Sequence, residues 1–278
     1  MTVRPSEEHF ARKYLREEVL PSTFCSGCGC GTVINCFLKA AEEEGHKDLK
    51  DFVFCSGIGC SSWIPSPYMK ADSIHVTHGR SIPVALGLKL VRPELNVVVF
   101  GGDGDIAAIG LNHLLHAARR NLEVVVIMVN NMIYGMTGGQ AAPTTPLGVV
   151  TTTTPYGTFE YPLDVSSLMV SAGASYVARW TTYHVVQLKE AMRKALRKRG
   201  FSFLEVVSQC PPIYGRRIGM ESATQILNWF RSSSVALNRA RNMKKKELTN
   251  RIVVGELVDT DKPTLLENIH KVLEKVTD

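Results

Sequence analysis

Long apolar runs are missing from this 278-residue chain. The longest uninterrupted ones, such as Val124 to Val129, fall far short of the roughly 20 residues a membrane-spanning helix needs, so no membrane segment is expected. Residues 1–21 carry charges of both signs and lack the apolar stretch of a signal peptide, which argues against export and for a reducing, cytoplasmic setting. Aromatic residues make up only 8% of the chain, and no basic stretch interleaved with aromatics accompanies the net charge of +6, so nucleic acid is not an expected partner. There is no internal repeat, and Thr151 to Thr154 is the only low-complexity tract. What the chain does have is seven cysteines and 45% hydrophobic residues, enough for a packed core. An odd cysteine count in a reducing compartment points to metal ligation or redox chemistry and away from a disulfide framework.

From about Asp51 to Val150, short apolar runs alternate with helix-like segments, the pattern of parallel βαβ units covered on both faces. The expected fold is α/β, a doubly wound and mostly parallel sheet. Asn96 to Phe100 (NVVVF) predicts a buried strand, Ala107 to Arg120 a helix, and Glu123 to Val129 the next buried strand. Met136 to Gly157, rich in Thr, Pro and Gly, predicts a long loop of the kind that usually carries function. Val165 to Ala172 and Tyr183 to Arg199 then read as helices, and Phe203 to Val207 as a strand. Residues 1–215 are expected to form one domain. Residues 216–278, polar and basic through Arg239 to Arg251 and ending in a charged helix from Leu265, are expected to form a peripheral arm on a partner subunit. The basic stretch reads as a solvated face.

The sharpest chemistry lies at two strand ends, GGDGD at Gly101 to Asp105 and NN at Asn130 and Asn131. In an open α/β sheet, ligands bind outside the carboxyl ends of the strands, so Asp103 and Asn131 can converge there on one cation. Hard oxygen ligands suit Mg²⁺, which completes its shell with phosphate oxygens and water. Gly102 and Gly104 permit close backbone approach, and the amides opening the next helix favour an anion, so a diphosphate is implied.

GDG followed at this distance by NN is the pattern shared by enzymes that use thiamine diphosphate. Read onward through Asn130 to Pro146 (NNMIYGMTGGQAAPTTP) and Thr77 to Leu90 (THGRSIPVALGLKL), the chain resembles the thiamine-binding β subunit of 2-oxoacid:ferredoxin oxidoreductases, from about Phe24 to the C-terminal arm. The resemblance implies Mg²⁺ ligands in the Asp103 carboxylate, the Asn131 side chain and the Ile133 carbonyl. It places Gly135, Met136 and Thr137 on the diphosphate. Ile58, Gly59, Cys60 and Ser61, with Thr77, His78, Gly79 and Arg80, would line the cofactor pocket, alongside Gly102, Gly104 and Asp105.

FCSGCGCGTVINC, Phe24 to Cys36, holds four of the cysteines, with Cys25 and Cys28 forming a C-x-x-C unit. CSGIGC adds Cys55 and Cys60, and Cys210 is followed by proline, a frequent neighbour of cluster ligands. The residues alone leave open which thiols act together, and whether they hold iron–sulfur or a structural zinc. The family pattern selects Cys25, Cys28, Cys60 and Cys210 for one [4Fe–4S] cluster. That leaves Cys36 and Cys55 as structural thiols, and Cys30 as either a pocket-lining thiol or a competing ligand.

The activity the resemblance implies is coenzyme A-dependent oxidative decarboxylation of a 2-oxoacid to an acyl-CoA and CO₂, with reduction of ferredoxin. YGMTGGQ (Tyr134 to Gln140) resembles enzymes for 2-oxoglutarate or branched-chain 2-oxoacids, and CPPIYGRR (Cys210 to Arg217) leans toward 2-oxoglutarate. Only one thiamine-binding unit is visible. The resemblance therefore implies that the activating Glu lies on an α subunit carrying the pyrimidine-binding domain, in an (αβ)₂ or larger complex, and that the isolated chain is inactive. The alternatives are a non-oxidative thiamine diphosphate-dependent decarboxylase or lyase subunit whose cysteines bind zinc or nothing, and a regulatory module without turnover.

Overall fold

The computed structural model describes residues 9–277. The first eight residues of the segment inspected for a leader lie outside them. Among the described residues, no helix is long and apolar enough to cross a membrane.

Eight strands form one sheet: β1 (Phe52–Ser56), β2 (Asp72–His75), β3 (Asn96–Gly102), β4 (Val125–Asn130), β5 (Tyr176–Thr181), β6 (Ser202–Val207), β7 (Ser234–Ala236) and β8 (Ile252–Asp259). Their spatial order is β2-β1-β3-β4-β6-β5-β8-β7. The six strands β1 to β6 run parallel, and β8 adds antiparallel to β5. The chain steps outward from β1 to β2, then returns to the other side of β1 for β3. That reversal opens a crevice beyond the carboxyl ends of β1 and β3.

The β-branched central strands are buried on both faces because alternate side chains enter different cores. On one face Phe54, Val98, Phe100 and Ile127 pack with α1 (Cys30–Glu43) and α5 (Val185–Arg197). There Phe37 of α1 meets Phe52, Phe54 and Phe100 edge-on, ring centroids 5.3–6.0 Å apart. On the other face Cys55, Val97, Val99 and Val126 pack with α2 (Ser81–Val91), α3 (Leu111–Arg120) and α4 (Val165–Ser171). The expected doubly wound α/β fold is the observed one.

Three local expectations are corrected. The helix read from Ala107 to Arg120 is two pieces: a π-helical turn at Asp105–Ile109 closes at Gly110, and α3 follows. Gly79 and Gly110 press together there, and a Cβ on Gly79 would lie 2.7 Å from the Gly110 nitrogen, so the backbone detours around the contact. Strand β5 was not expected, because Arg179 interrupts its apolar run. Arg179 sits opposite Glu205 of β6 and pairs with it, which lets a charge enter the sheet.

The third correction concerns the segment expected as a peripheral arm. It contributes α6 (Ala223–Ser233), β7, α7 (Leu237–Ala240), β8 and α8 (Leu265–Thr277), and β8 is built into the main sheet. Its polar positions hid it: Glu256 accepts hydrogen bonds from Tyr176 and Lys194, contacts visible only once β8 lies beside β5.

A pocket where four strand ends meet

The segments leaving β1, β3, β4 and β6, neighbours in the sheet, enclose a cavity of about 450 Å³ at their carboxyl ends. From β1 come Ile58, Gly59, Cys60 and Ser61; from β3 come Gly102, Asp103, Gly104 and Asp105; from β4 come Asn131, Ile133, Gly135, Met136 and Thr137; from β6 comes Cys210. The segment leading into α1 supplies Cys25, Cys28 and Cys30, and His78 enters from the turn before α2. Of the residues expected in the pocket, Thr77, Gly79 and Arg80 are not in its lining. The Arg80 guanidinium instead donates to the carbonyls of Gly79 and Ile109, tying the turn to the π-helical segment.

Three oxygen groups converge at one end. Asp103 is 2% exposed, and Thr144 donates a short hydrogen bond to its Oδ2. Burial pushes the Asp103 pKa up to about 7, against the opposing hydrogen bonds from Thr144 and the Gly104 amide. The Asn131 amide fits its place in two ways. With its NH₂ inward, it donates to Asp103 Oδ1 over 3.3 Å and to the Ile133 carbonyl over 2.6 Å. With its oxygen inward, Asn131 Oδ1 accepts from the Ile133 amide over 3.3 Å and faces the acceptors of Asp103 and the Ile133 carbonyl, an arrangement that a cation stabilises. Tyr134 closes this end: its hydroxyl donates to the Gly104 carbonyl over 3.0 Å, and a Cβ on Gly104 would strike its ring at 2.3 Å.

Asp105 anchors the floor. Its Oδ1 accepts hydrogen bonds from the amides of Gly79 (2.7 Å) and Ile58 (3.2 Å), so one carboxylate ties together the turns after β1 and before α2. His78 Nδ1 lies 2.8 Å from the same oxygen without hydrogen-bond alignment, and Asp105 Oδ2 has no partner. Burial raises the Asp105 pKa, opposed by the two amides and by His78.

The thiols gather at the other end. The Cys28 amide donates to the Cys25 carbonyl over 3.0 Å, which bends the C-x-x-C segment into a turn. The next amide, that of Gly29, donates to the Gln209 carbonyl over 3.0 Å, docking this turn beside Cys210. A Cβ on Gly135 would lie 3.7 Å from Cys210 Sγ, 3.9 Å from Cys60 Sγ and 3.5 Å from the Asn131 amide, so the thiols and the oxygen groups share one loop. Burial pushes the Cys60 thiol up to about 11, and Cys28, Cys210 and Cys25 push it the same way. Burial likewise raises Cys210, with Cys28 and Cys25 adding to it. Cys28 is lowered to about 7, chiefly by a hydrogen bond from Cys30. Cys30, 3% exposed, therefore lines the pocket as a fifth sulfur. Cys36 and Cys55 lie elsewhere, Cys36 donating to the Val185 carbonyl over 3.8 Å and Cys55 fully buried in β1. Among the described residues, no three His, Cys, Asp or Glu side chains come together at the spacing of a single metal ion.

Thr144, Tyr134, Trp63, Ser208 and Gln209 were not anticipated. Tyr134 and Thr144 both lie in the Asn130 to Pro146 stretch, but Thr144 is 41 residues from Asp103 and the stretch gives no hint of which threonine turns inward.

A parallel sheet whose strand ends gather Gly-Asp-Gly and a paired Asn around one pocket defines a thiamine diphosphate-binding domain. The family model "Thiamine pyrophosphate enzyme, C-terminal TPP binding domain" matches residues 57–206, more than half of the chain. The 2-oxoglutarate synthase subunit KorB of Methanocaldococcus jannaschii is 51% identical over 96% of this chain and 98% of its own length. The 2-oxoacid:ferredoxin oxidoreductase subunit beta of Saccharolobus solfataricus is 41% identical over 68% of this chain and 62% of its own. Among solved structures, 2-oxoglutarate:ferredoxin oxidoreductase from Magnetococcus marinus, with 2-oxoglutarate, coenzyme A and succinyl-CoA bound, superposes with a TM-score of 0.85 at 31% identity, covering 98% of this chain and 92% of that one. The chain belongs to the β-subunit family of the 2-oxoacid:ferredoxin oxidoreductases.

Proposed function

We propose that this chain is the thiamine diphosphate- and cluster-bearing β subunit of a coenzyme A-dependent 2-oxoacid:ferredoxin oxidoreductase, with 2-oxoglutarate as the favoured substrate and branched-chain 2-oxoacids next. The observation that carries the reading is the joining of two donor sets in one pocket, hard oxygens from Asp103, Asn131 and Ile133 and soft sulfurs from Cys25, Cys28, Cys60 and Cys210. The named activity of the relatives supports the substrate choice.

The oxygen set fits Mg²⁺, and the neighbouring backbone of Gly104, Gly135 and Met136, with the Thr137 hydroxyl, would hold the diphosphate. Thiamine diphosphate, when bound, supplies the carbanion chemistry by which a 2-oxoacid loses CO₂. Thr144 keeps the Asp103 carboxylate turned into the pocket, and Asp105 fixes the turns that carry Ile58 and His78. Four thiols from three separate segments fit a [4Fe–4S] cluster better than zinc, because a cubane holds each thiolate on its own iron, whereas zinc draws all four to one point. A cluster so held would offer a one-electron acceptor beside the substrate. Cys30, in the same lining, serves as a neighbour of the ligands.

No carboxylate suited to activating the aminopyrimidine ring is assigned on this chain, and that role falls to an α subunit. Tyr156, Phe159 and Tyr161, all largely exposed in the loop between β4 and α4, suit burial against such a partner, as do the exposed Val272 and Val276 of α8. An (αβ)₂ or larger assembly in the cytoplasm, delivering electrons to ferredoxin, completes the reading.

The test is iron, acid-labile sulfide and zinc content of the αβ complex purified without oxygen, with its electron paramagnetic resonance spectrum after reduction. About four irons and four sulfides per chain, with a reduced-cluster signal lost in Cys60→Ser, are expected. Zinc without iron would reassign the chain to the non-oxidative thiamine enzymes.

A further inference from the structure

A charged group is buried behind the pocket. Glu205 of β6 is 4% exposed, and both its oxygens are occupied. Oε2 accepts hydrogen bonds from Arg179 Nε over 2.7 Å and from the Ser166 hydroxyl. Oε1 accepts from Asn130 Nδ2 over 2.8 Å. The bond to Asn130 reaches the next turn, because Asn130 Oδ1 accepts from the Met132 amide over 3.0 Å. Met132 has φ +63°, a left-handed conformation that a side-chain-bearing residue adopts at a cost and keeps only when its surroundings hold it. Its carbonyl accepts from Thr145 Oγ1 over 2.7 Å, which holds the turn from the other side. Asn131, whose side-chain amide lies between Asp103 and the Ile133 carbonyl, and Ile133 itself flank this residue.

An ion pair inside a sheet adds little net stability compared with an apolar pair of similar volume, since each charge must leave water. Its usefulness here is geometric. We propose that Glu205 is a positioning residue for the cation site: gripped by Arg179 and Ser166, it fixes the Asn130 amide and with it the Met132 turn, so that the Asn131 side chain and the Ile133 carbonyl are presented to a divalent cation. The inference rests on the reading of Asp103, Asn131 and Ile133 as that site.

Glu205→Gln keeps the size of the side chain and removes its double acceptor character. Whichever way the new amide turns, its NH₂ faces either Arg179 and Ser166 or Asn130, all of them donors there. Ser166→Ala removes one donor to the carboxylate and leaves both charges, a gentler change. The measurement is the Mg²⁺ concentration giving half-maximal thiamine diphosphate binding to the αβ complex, by titration calorimetry, together with thiamine diphosphate affinity at saturating Mg²⁺ and the melting temperature.

Residues behind metal ligands typically contribute about ten- to a hundredfold in metal affinity. The half-saturating Mg²⁺ should rise by that factor in Glu205→Gln and by several-fold in Ser166→Ala, while saturating Mg²⁺ restores thiamine diphosphate affinity to near wild type. An unchanged Mg²⁺ requirement in both folded variants overturns the proposal. So does an equal loss of affinity at limiting and saturating Mg²⁺, the sign of a merely structural role. If Glu205→Gln fails to fold, Ser166→Ala decides. Asp103→Ala in the same assay separates the two levels: Mg²⁺ dependence that survives it removes the cation reading itself.

Discussion

Gly29 stands between the C-x-x-C turn and the segment that carries Cys210, and replacing it with alanine should empty the proposed cluster site while leaving the fold standing. Its backbone, φ −70° and ψ −14°, suits any residue, so alanine costs nothing in conformation and restricts the unfolded chain slightly. The obstacle is space. A Cβ at this position would lie 2.0 Å from Ser208 Oγ and 2.7 Å from Gln209 Oε1, where ordinary contact begins near 3.4 Å. Gln209 cannot swing aside freely, because its Oε1 accepts a short hydrogen bond from Thr182. The two segments must separate by about 1 Å or Ser208 must find another rotamer, and overpacking of this kind costs about 1–3 kcal/mol. A metal site tolerates errors of only about 0.2 Å in its ligand distances, so a shift several times larger between Cys28 and Cys210 defeats it. The expected result for Gly29→Ala is a complex that melts a few degrees lower and carries well under half the wild-type iron. Adding Ser208→Gly in the same chain should recover part of both. Iron and sulfide analysis with the reduced-state paramagnetic signal reads the outcome. Full iron loading and an unaltered signal in Gly29→Ala would refute the reasoning, because it would mean that the contact yields without moving the thiols.

Cys55→Ala should leave iron content unchanged and lower stability by roughly 1 kcal/mol, because this thiol is wholly buried in β1 among the α2 and α3 contacts; denaturant unfolding and metal analysis check both halves. Asn121→Ala should cost roughly 3–5 kcal/mol in denaturant unfolding, since the Asn121 side chain donates to the carbonyls of Lys262 and Pro263 and accepts from Ser175 and the Phe201 amide, joining the end of α3 to the sheet and to the approach to α8. Asp164 supplies a pH test. Burial alone would raise its pKa, but the Arg179 guanidinium and the Ser167 donors outweigh that and hold it below the ordinary value. A group with a lowered folded-state pKa stabilises fully above its unfolded value, about 3.9, and less as pH falls through the folded one. The melting temperature of Asp164→Asn should therefore lie below wild type at pH 7, and the gap should close below about pH 4. A gap that widens in acid would contradict this.

Much of the fold was legible in the residue pattern for a simple reason. Parallel strands buried on both faces must be continuously apolar, so Asn96 to Phe100 and Val124 to Val129 announce themselves, and glycine with aspartate just past a strand marks the turn at which ligands bind. The pairing of GDG with NN, and the C-x-x-C unit, are local in sequence and needed no coordinates. Chemistry that depends on charge compensation was hidden. Arg179 in β5 and Glu256 in β8 look wrong for strands until Glu205, Tyr176 and Lys194 are placed beside them. The same holds for Thr144, whose role depends on a loop folding back onto Asp103.

The sequence by itself determined the strand cores, the acidic turn and which candidate sulfur- and oxygen-bearing residues the chain offers, because each is set by residue type and short-range spacing. Only the tertiary structure decided which donors meet. Sheet order places the ends of β1, β3, β4 and β6 side by side, and that order arises from long-range packing of helices on two faces, which no local pattern encodes. It brings Cys210 to Cys28 across the Gly29 contact and leaves Cys36 and Cys55 in the core, though all are cysteines. It turns Arg80 away from the pocket and sets Glu205 behind it, because a side chain's direction follows from the partners that tertiary packing supplies.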